Sequence, residues 1–339
     1  MKTILTAIFL LCVFSTIKAQ DIHFSQFYEQ PVLRNPALAG IFKGDLRVTT
    51  AFRSQWQQSL GQFQTTGLSV ESRSSVNEFS DDYFCVGLQI TNDAGGDARL
   101  GRTQLLPTLA YHKLLKEESN LYLSAGFTGG FVQQRFDPSK LSFDDQFVNG
   151  SYSRTNPTRQ MFTNTNVTYL DAAAGVSLGG ELGYRYKFYI GASYHHFTRP
   201  KVAFDQNSDV RLNKKVAVNA GLSCQVSDYN QLFFYADYFR QGGTSLAQGG
   251  MLYRHNLLEE VEDPTYVISF GAFYRWNDAL VPVVKIDYMK LSFGVTYDVN
   301  ISQLRTATQM RGAAEVTLSY RTFLNTRKSS QLKMRCPVL

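Results

Sequence analysis

Apolar and polar residues alternate one by one along most of the chain after residue 45. The clearest stretch runs from Val216 to Val226, where every second residue is apolar or Cys and the residues between them are small or polar. Successive side chains of a β-strand point to opposite faces of the sheet, so a period of two is typical of strands. The pattern therefore predicts strands with one oily face and one polar face.

About fourteen such segments follow one another, each near the roughly 9–11 residues that a tilted membrane strand needs. They begin near Leu46, Gln64, Tyr83, Arg102, Asn120, Tyr169, Tyr186, Val216, Gln231, Ser245, Tyr266, Leu280, Leu291 and Ala313. An even number of strands brings both chain ends to one side of a barrel, which in bacterial outer membranes is the periplasm. The longest connections, 136–167, 199–215 and 300–312, then share the outer side, whereas the inner turns are short apart from 73–82 and 255–264.

Composition favours a membrane barrel over a soluble β-sandwich. After residue 20 the chain has no run of about 18 apolar residues, which excludes a transmembrane helix. Aromatic residues nevertheless make up 14% of the chain, and they collect near strand ends, as at 186–194 and 233–239, where membrane barrels carry aromatic girdles. A β-sandwich is expected to have strands of about five or six residues. We therefore predict an all-β fold, a transmembrane antiparallel β-barrel that contacts the lipid of the bacterial outer membrane.

The first 19 residues have the features of a secretory signal peptide. Lys2 precedes a mostly apolar stretch over residues 4–17, and Ala19 stands before the expected cleavage point, which leaves Gln20 as the first mature residue. The last residues are basic, and we expect them to contact a periplasmic partner, with a disordered tail as the alternative. The predicted divisions are a signal peptide over 1–19, an N-terminal periplasmic or plug segment over 20–45, the barrel over 46–324 and a basic periplasmic tail over 325–339.

Residues 21–40 have neither strand nor helix periodicity, and Pro31 and Pro36 interrupt any longer element. The stretch is rich in Phe, Gln and Asn, whose side chains suit packing against a polar barrel interior or mouth. Arg53 and Gln55 lie on the inward face of the first predicted strand and are the expected partners. We predict an ordered segment that closes the periplasmic half of the lumen, and the alternative is a loose leader.

Three short patterns suggest chemistry but lack the geometry that it needs. Residues 175–179 match G-x-S-x-G around Ser177, yet another strand follows where a nucleophile elbow needs a helix. His195 and His196 are neighbours in a strand, so they are expected to point to opposite faces and not to share a metal ion. Residues 92–97 are acidic and Gly-rich but lack the ligand spacing of a calcium loop, which favours a hairpin turn. We therefore predict no catalytic residues, no metal and no cofactor.

Cysteine and charge add two exclusions. Of the four Cys residues, Cys12 leaves with the signal peptide, and the odd number that remains does not imply a disulfide framework. Cys85 falls on a polar strand face and Cys224 on an apolar one, so these two should not pair. The net charge of +6 is mild, and no basic cluster interleaved with aromatics indicates a nucleic-acid partner.

Residues 24–40 read F-S-Q-F-Y-x-x-P-x-x-x-N-P-A-x-A-G, which resembles the opening signature of the PorP/SprF family of type IX secretion system membrane proteins. Four further stretches of the chain are similar to motifs of that family. They are R-x-Q-W at 53–56, D-A-L-V-P at 278–282, S-x-G-x-x-Y-D within 291–299 and the Cys-Pro at 336–337. Together the matches span the mature chain, although the longest connection carries none. The residues expected to form the plug or to bind a partner are Phe24, Ser25, Gln26, Phe27, Tyr28, Pro31, Asn35, Pro36, Gly40, Arg53, Gln55, Trp56 and Cys336.

The resemblance implies an outer-membrane barrel that serves type IX secretion and, in some bacteria, gliding motility. It implies contacts with periplasmic ring components and a peptidoglycan-binding partner or, for some members, with the type B C-terminal domain of a secreted adhesin at the cell surface. On this basis we predict a non-enzymatic secretion or surface-attachment component. Two alternatives stay open, an outer-membrane diffusion or fatty-acid and solute uptake channel, and a hydrolase acting through Ser177.

Overall fold

The computed structural model describes residues 21–55, 62–77, 80–96, 98–153, 155–160, 162–205, 208–257, 265–303 and 311–324. The long strands are β1 Leu46–Gln55, β2 Phe63–Asn77, β3 Ser80–Gly95, β4 Leu100–Lys116, β5 Leu121–Arg135, β8 Asn166–Leu182, β9 Tyr186–His195, β10 Lys215–Ser227, β11 Asn230–Gln241, β12 Thr244–Asn256, β13 Tyr266–Arg275, β14 Ala279–Tyr288, β15 Leu291–Asn300 and β16 Arg311–Thr322. A separate hairpin consists of β6 Phe147–Val148 and β7 Ser151–Tyr152. Short helical turns occupy Phe27–Glu29, Pro31–Arg34, Pro36–Leu38, Glu117–Ser119, Pro138–Lys140 and Asp144–Gln146.

The fourteen long strands form one closed antiparallel barrel, in which β1 completes the circle by pairing with β16. The predicted fold and the predicted number of strands are therefore confirmed, and each strand begins within three residues of its predicted start. Closure pairs the backbone N–H and C=O groups of neighbouring strands, which the hydrocarbon layer requires because it holds no water to bond a free edge. No helix in the described part of the chain is long and apolar enough to cross a membrane.

Five consecutive barrel strands are longer than expected. β2, β3, β4, β5 and β8 have 15 to 17 residues, so the prediction of roughly 9–11 residues is wrong for them. The expected long inner turn over 73–82 is also wrong, because β2 and β3 both continue into it. Polar strands can keep pairing beyond the hydrocarbon layer, and Asp82 ties this extension to β4 by accepting hydrogen bonds from Tyr111 and Lys113 at 2.8 Å.

The two ends of the barrel differ. β1 begins beside the last residue of β16, so both ends of the sheet meet on one side, which we call the termini end. The connections 136–165 and 196–214 lie together on the opposite side, the loop end, as the alternation predicts. They pack on each other, since the ring centroids of Phe136 and Phe204 are 4.8 Å apart.

The largest apolar cluster of the described residues lies inside the barrel. Phe27 packs there against Val281 and Val283 on the inner face of β14. Leu280 and Val284 of the same strand point outward and are exposed, so residues 279–284 of β14 are apolar on both faces. A strand facing lipid on one side and water on the other would alternate apolar and polar residues. The inner face of this half of β14 is apolar because another part of the chain covers it.

Cys85 and Cys224 lie on opposite faces of the wall, as the alternation predicts. Cys85 of β3 is fully buried inside the barrel, whereas Cys224 of β10 faces outward between Leu222 and Val226. Both are free thiols. The lipid-facing position of Cys224 provides a direct chemical test of the strand orientation.

We expect a membrane-impermeant maleimide to leave Cys224 unlabelled in intact outer membranes, because acyl chains exclude the charged reagent from the outer wall. The measurement uses protein carrying Cys85→Ser and Cys336→Ser. Ser139→Cys, in the exposed connection at the loop end, is the positive control and should label rapidly. Labelling of Cys224 at the rate of this control would contradict the orientation of β10.

Candidate functional site

Residues 21–45, which we call the lumen segment, run through the inside of the barrel. Most of the side chains are buried, and the backbone forms three short helical turns. Pro31 and Pro36 each open one of these turns, a position where the missing backbone N–H costs no hydrogen bond. Asn35 is extended, as a residue before proline prefers, and its Oδ1 accepts a hydrogen bond at 2.9 Å from the backbone N–H two residues later. Local chemistry therefore gives the segment its sharp turns.

A buried charge cluster joins the lumen segment to β1, β15 and β16. The backbone N–H groups of Ser25 and Gln26 donate to the two carboxylate oxygens of Glu315 at 2.6 and 2.8 Å. The Ser25 hydroxyl and the Arg53 guanidinium both donate to Asp298, at 2.6 and 2.8 Å. None of these five residues is more than 2% exposed. Buried charges are costly unless they are paired and hydrogen-bonded. The backbone N–H groups of the segment and the Arg53 guanidinium therefore stabilise the two buried carboxylates of the wall.

Two further ion pairs hold the lumen segment to other parts of the wall. Arg34 donates to both carboxylate oxygens of Asp237 in β11, at 2.8 and 2.6 Å. Glu29 accepts a hydrogen bond from Lys285 of β14 at 2.5 Å. A pair of parallel hydrogen bonds fixes orientation as well as distance, so the Arg34 contact sets the rotation of its helical turn.

The lumen segment reaches the loop end of the barrel. Asp21, its first described residue, pairs with Arg102 at 2.5 Å, Lys215 at 3.1 Å and His196 at 3.2 Å, all near the loop ends of their strands. Burial raises the pKa of Asp21, but the charges of Lys215, Arg102 and His196 outweigh it and hold the pKa well below its usual value. The segment therefore extends beyond the half of the lumen that the sequence predicts it to close, because the cationic partners of Asp21 lie at the far rim.

Aromatic side chains of the lumen segment pack against the apolar part of the inner wall. The rings of Phe27 and Phe273 meet edge to face with centroids 5.2 Å apart, and Tyr28 stacks on Tyr235 at 5.1 Å. Phe24 is only 2% exposed. Full burial of one such side chain is worth about 1.5–3 kcal/mol, more than a typical hydrogen bond contributes. The buried rings of Phe24 and Phe27 are therefore a main part of what holds the segment, and the half-buried ring of Tyr28 adds to it.

Glycines of the inner wall leave room for the lumen segment. A Cβ at Gly175 of β8 would overlap Asn35 Oδ1, and a Cβ at Gly191 of β9 would lie 2.7 Å from Asn35 Nδ2. In this space Asn35 Nδ2 donates to the carbonyl oxygen of Val176 at 3.1 Å. The G-x-S-x-G pattern around Ser177 lies wholly within β8, without the turn and helix of a nucleophile elbow. Its first glycine serves the close approach of Asn35.

The two adjacent histidines both point into the barrel, so the expectation of opposite faces is wrong. β9 ends at His195, and His196 has a left-handed backbone with φ of +58°, which turns its side chain inward. His196 Nδ1 lies 2.7 Å from Asp171, and His195 Nε2 lies 3.2 Å from the carbonyl oxygen of Arg34. Within the described ranges, no group of three or more His, Cys, Asp or Glu residues is arranged to hold a metal.

The predicted site residues fall in different places. Tyr28 is half-buried beside the inner wall, and Arg53 donates a hydrogen bond to the Ser25 hydroxyl. Gln55 is half-buried at the end of β1 and makes no hydrogen bond to the described lumen segment. Trp56 and Cys336 lie outside the described residues, as do the predicted signal peptide and C-terminal tail. The residues buried inside the barrel are Phe24, Ser25, Gln26, Phe27, Pro31, Asn35, Pro36 and Gly40.

Sequence reasoning missed the wall residues that bind the lumen segment. Asp237, Lys285, Asp298 and Glu315 are charged residues on inward faces of late strands, and each contacts the segment. Two signals were available in the sequence. Charged residues interrupt otherwise apolar or small-residue stretches at these positions, and residues 279–284 are apolar without alternation. Both features indicate an inner surface that is covered by protein.

Comparison with known proteins gives one family. The sequence model described as "Type IX secretion system membrane protein PorP/SprF" matches residues 16–320. No curated protein matches the chain.

Several solved membrane barrels resemble the chain in fold. The CymD monoaromatic hydrocarbon channel is 10% identical with a TM-score of 0.49, over 87% of this chain and 93% of that one. A FadL homologue of Pseudomonas aeruginosa is 11% identical with a TM-score of 0.45, over 84% and 92%. The translocator domain of autotransporter NalP from Neisseria meningitidis is 10% identical with a TM-score of 0.40, over 87% and 94%. The substrates and activities that these names describe belong to those proteins.

A larger side chain at Gly175 should displace the lumen segment. We expect Gly175→Val to expose Cys85, which the segment covers, because the new side chain would occupy the space of Asn35. The measurement is the rate at which a water-soluble maleimide labels Cys85 in purified protein that carries Cys224→Ser and Cys336→Ser.

Ala174→Val is the matched control, since Ala174 is the preceding residue of β8 and faces outward. Cys85 should react at least about tenfold faster in Gly175→Val than in the control. This ratio corresponds to a loss of about 1.4 kcal/mol in the free energy that holds the lumen segment against the wall. The electrophoretic mobility of unheated protein reports whether each barrel is folded. Equal labelling rates in folded proteins would contradict the seating of Asn35 against β8.

Removing the Arg53 guanidinium should weaken the hold on the lumen segment. Arg53→Met leaves Asp298 and Glu315 buried with one positive charge fewer, and breaking a buried ion pair in this way costs about 3–5 kcal/mol. We expect Cys85 to become reactive at a lower urea concentration. Arg135→Met, at an exposed position of β5, is the control. It should change little the urea concentration at which half of the Cys85 thiols react. If Cys85 becomes reactive at the same urea concentration in both variants, the buried charge cluster around Arg53 does not hold the lumen segment.

Proposed function

The chain belongs to the PorP/SprF family of type IX secretion system membrane proteins, and from this premise we propose that it is a non-enzymatic adaptor of that system. It is an outer-membrane β-barrel. We propose that it links the secretion or gliding machinery, or a secreted adhesin with a type B C-terminal domain, to the outer membrane. The observation that carries the proposal is the lumen segment, whose buried contacts extend from the termini end to the loop end.

A filled lumen favours an adaptor over a channel. The charge cluster around Arg53 is at most 2% exposed, and Phe27 and Val281 pack tightly nearby. A solute passing through the barrel would have to break these contacts. The ends of the barrel are then the surfaces that partners can reach.

The burial of Ser177 supports a non-enzymatic role. Ser177 is 3% exposed within a strand, and its hydroxyl donates to a backbone carbonyl.

The two ends of the barrel suit different partners. Outer-membrane barrels have short turns on the periplasmic side and long loops outside, so we assign the termini end to the periplasm. We propose that periplasmic ring components and a peptidoglycan-binding component contact this end, where the basic tail over 325–339 would also emerge. An adhesin domain would contact the loop end. There the hairpin residues Phe147 and Val148 are 59% and 46% exposed, as is typical of a protein-binding surface.

Deleting residues 24–40 should open the barrel and impair secretion. We expect ion conductance in reconstituted bilayers to rise, because the deletion removes the Phe24 and Phe27 rings and the partners of Glu315 from the lumen. We also expect loss of type IX cargo from the medium or the cell surface, with the barrel still assembled in the outer membrane.

Deletion of residues 139–155, which removes the same number of residues from a connection at the loop end, is the conductance control. This variant should conduct as little as the intact protein. If the intact protein already conducts like a porin and the deletion of 24–40 changes neither conductance nor secretion, the protein is a diffusion or uptake channel and not an adaptor. Increased conductance with normal secretion would also contradict the adaptor role of the lumen segment.

A further inference from the structure

A groove runs along the outer wall of the barrel from the loop end across β10 to β13. Its upper part of about 580 Å³ and its lower part of about 400 Å³ share Val218 and Tyr238 as lining residues. The lower part is bordered by the large rings of Tyr274 and Trp276, which are 41% and 66% exposed. Its floor consists of small residues that point outward, namely Ala220, Ala236, Ala247 and Gly249.

These small residues come from three adjacent strands at one level of the wall. Ala220 of β10 lies opposite Ala236 of β11, and Ala236 lies opposite Gly249 of β12. The neighbouring outward positions carry long apolar side chains, such as Leu222 and Met251. A row of small residues on a lipid-facing wall leaves a depression, and an acyl chain can fill it by van der Waals contact.

Three cations stand at the upper end of this groove. Arg199, Lys214 and Arg240 line it, are exposed, and form no ion pair within the described part of the chain. Lys214 Nζ lies 5.5 Å from the ring centre of Tyr194, on the outward face of β9. Arg240 is four residues from Ala236 along β11, which is about 13 Å in a strand. Positive charge and apolar depression are therefore two ends of one continuous surface.

We propose that this groove binds lipid A, the phosphorylated and acylated glycolipid of the outer leaflet. The long connections put the loop end on the outer side, so the three cations lie at the level of the outer leaflet head groups. Arg and Lys form strong charge-assisted hydrogen bonds to phosphate oxygens. The acyl chains would extend over the small-residue floor toward the middle of the membrane. A bound lipid here would fix this sector of the wall without involving the lumen segment.

The test measures binding of purified bisphosphorylated lipid A to the full-length barrel by native mass spectrometry. We expect the triple variant Arg199→Gln, Lys214→Gln, Arg240→Gln to lose affinity by at least about tenfold, because three charge-assisted contacts disappear. Ala236→Phe fills the depression and should also weaken binding. Arg135→Gln, which removes an exposed cation at the loop end of β5, is the matched control and should bind as the natural protein does.

Two further probes separate a built site from ordinary boundary lipid. Dephosphorylated lipid A and phosphatidylglycerol should both bind the natural protein more weakly than bisphosphorylated lipid A. Because all the substitutions lie on the outer surface, Cys85 should stay protected from maleimide in every variant, which checks the fold. Equal lipid A binding by the triple variant and the Arg135→Gln control, or equal binding of phosphatidylglycerol, would overturn the proposal.

Discussion

Inside a bilayer every backbone N–H and C=O group needs a partner within the protein, and a closed sheet supplies one to each. Closure with fourteen strands has a second consequence. A barrel of about eight strands encloses a space that the side chains of its own wall can just fill, so a wider barrel leaves a lumen. That lumen holds either water or another part of the chain. Here the N-terminal segment occupies it, and the inner face of the wall is built to receive that segment.

The fit between wall and segment combines charge with shape. Asp298 and Glu315 would be costly inside the wall alone, and the Arg53 guanidinium and the N–H groups of residues 25 and 26 satisfy them. Gly175 and Gly191 provide the space for the Asn35 side chain. Each of these contacts forms only when the segment lies beside one particular position of the strand that it contacts. Buried charge and close packing thus select a single path through the barrel.

A filled interior shifts the functional surfaces to the ends and to the outer wall. The buried contacts of the lumen segment extend from the termini end to the loop end. The outer wall is not uniform either, since small residues of β10 to β12 form a depression and exposed cations stand at its loop end. The surfaces that the barrel leaves accessible are therefore its two ends and its outer wall.

The sequence by itself determined the closed sheet, its fourteen strands, the side of each long connection and the inward direction of Arg53, because a period of two is a local property of every strand. It also determined that residues 21–40 form no long regular element, because Pro31 and Pro36 interrupt the stretch. Strand length was predicted poorly, since polar strands can pair beyond the membrane where the alternation weakens. Only the tertiary structure decided that Asp21 reaches the far rim and that Arg34 meets Asp237, which is 203 positions away in the chain. Such contacts depend on how a closed wall brings distant strands around one segment, and no local pattern contains that information.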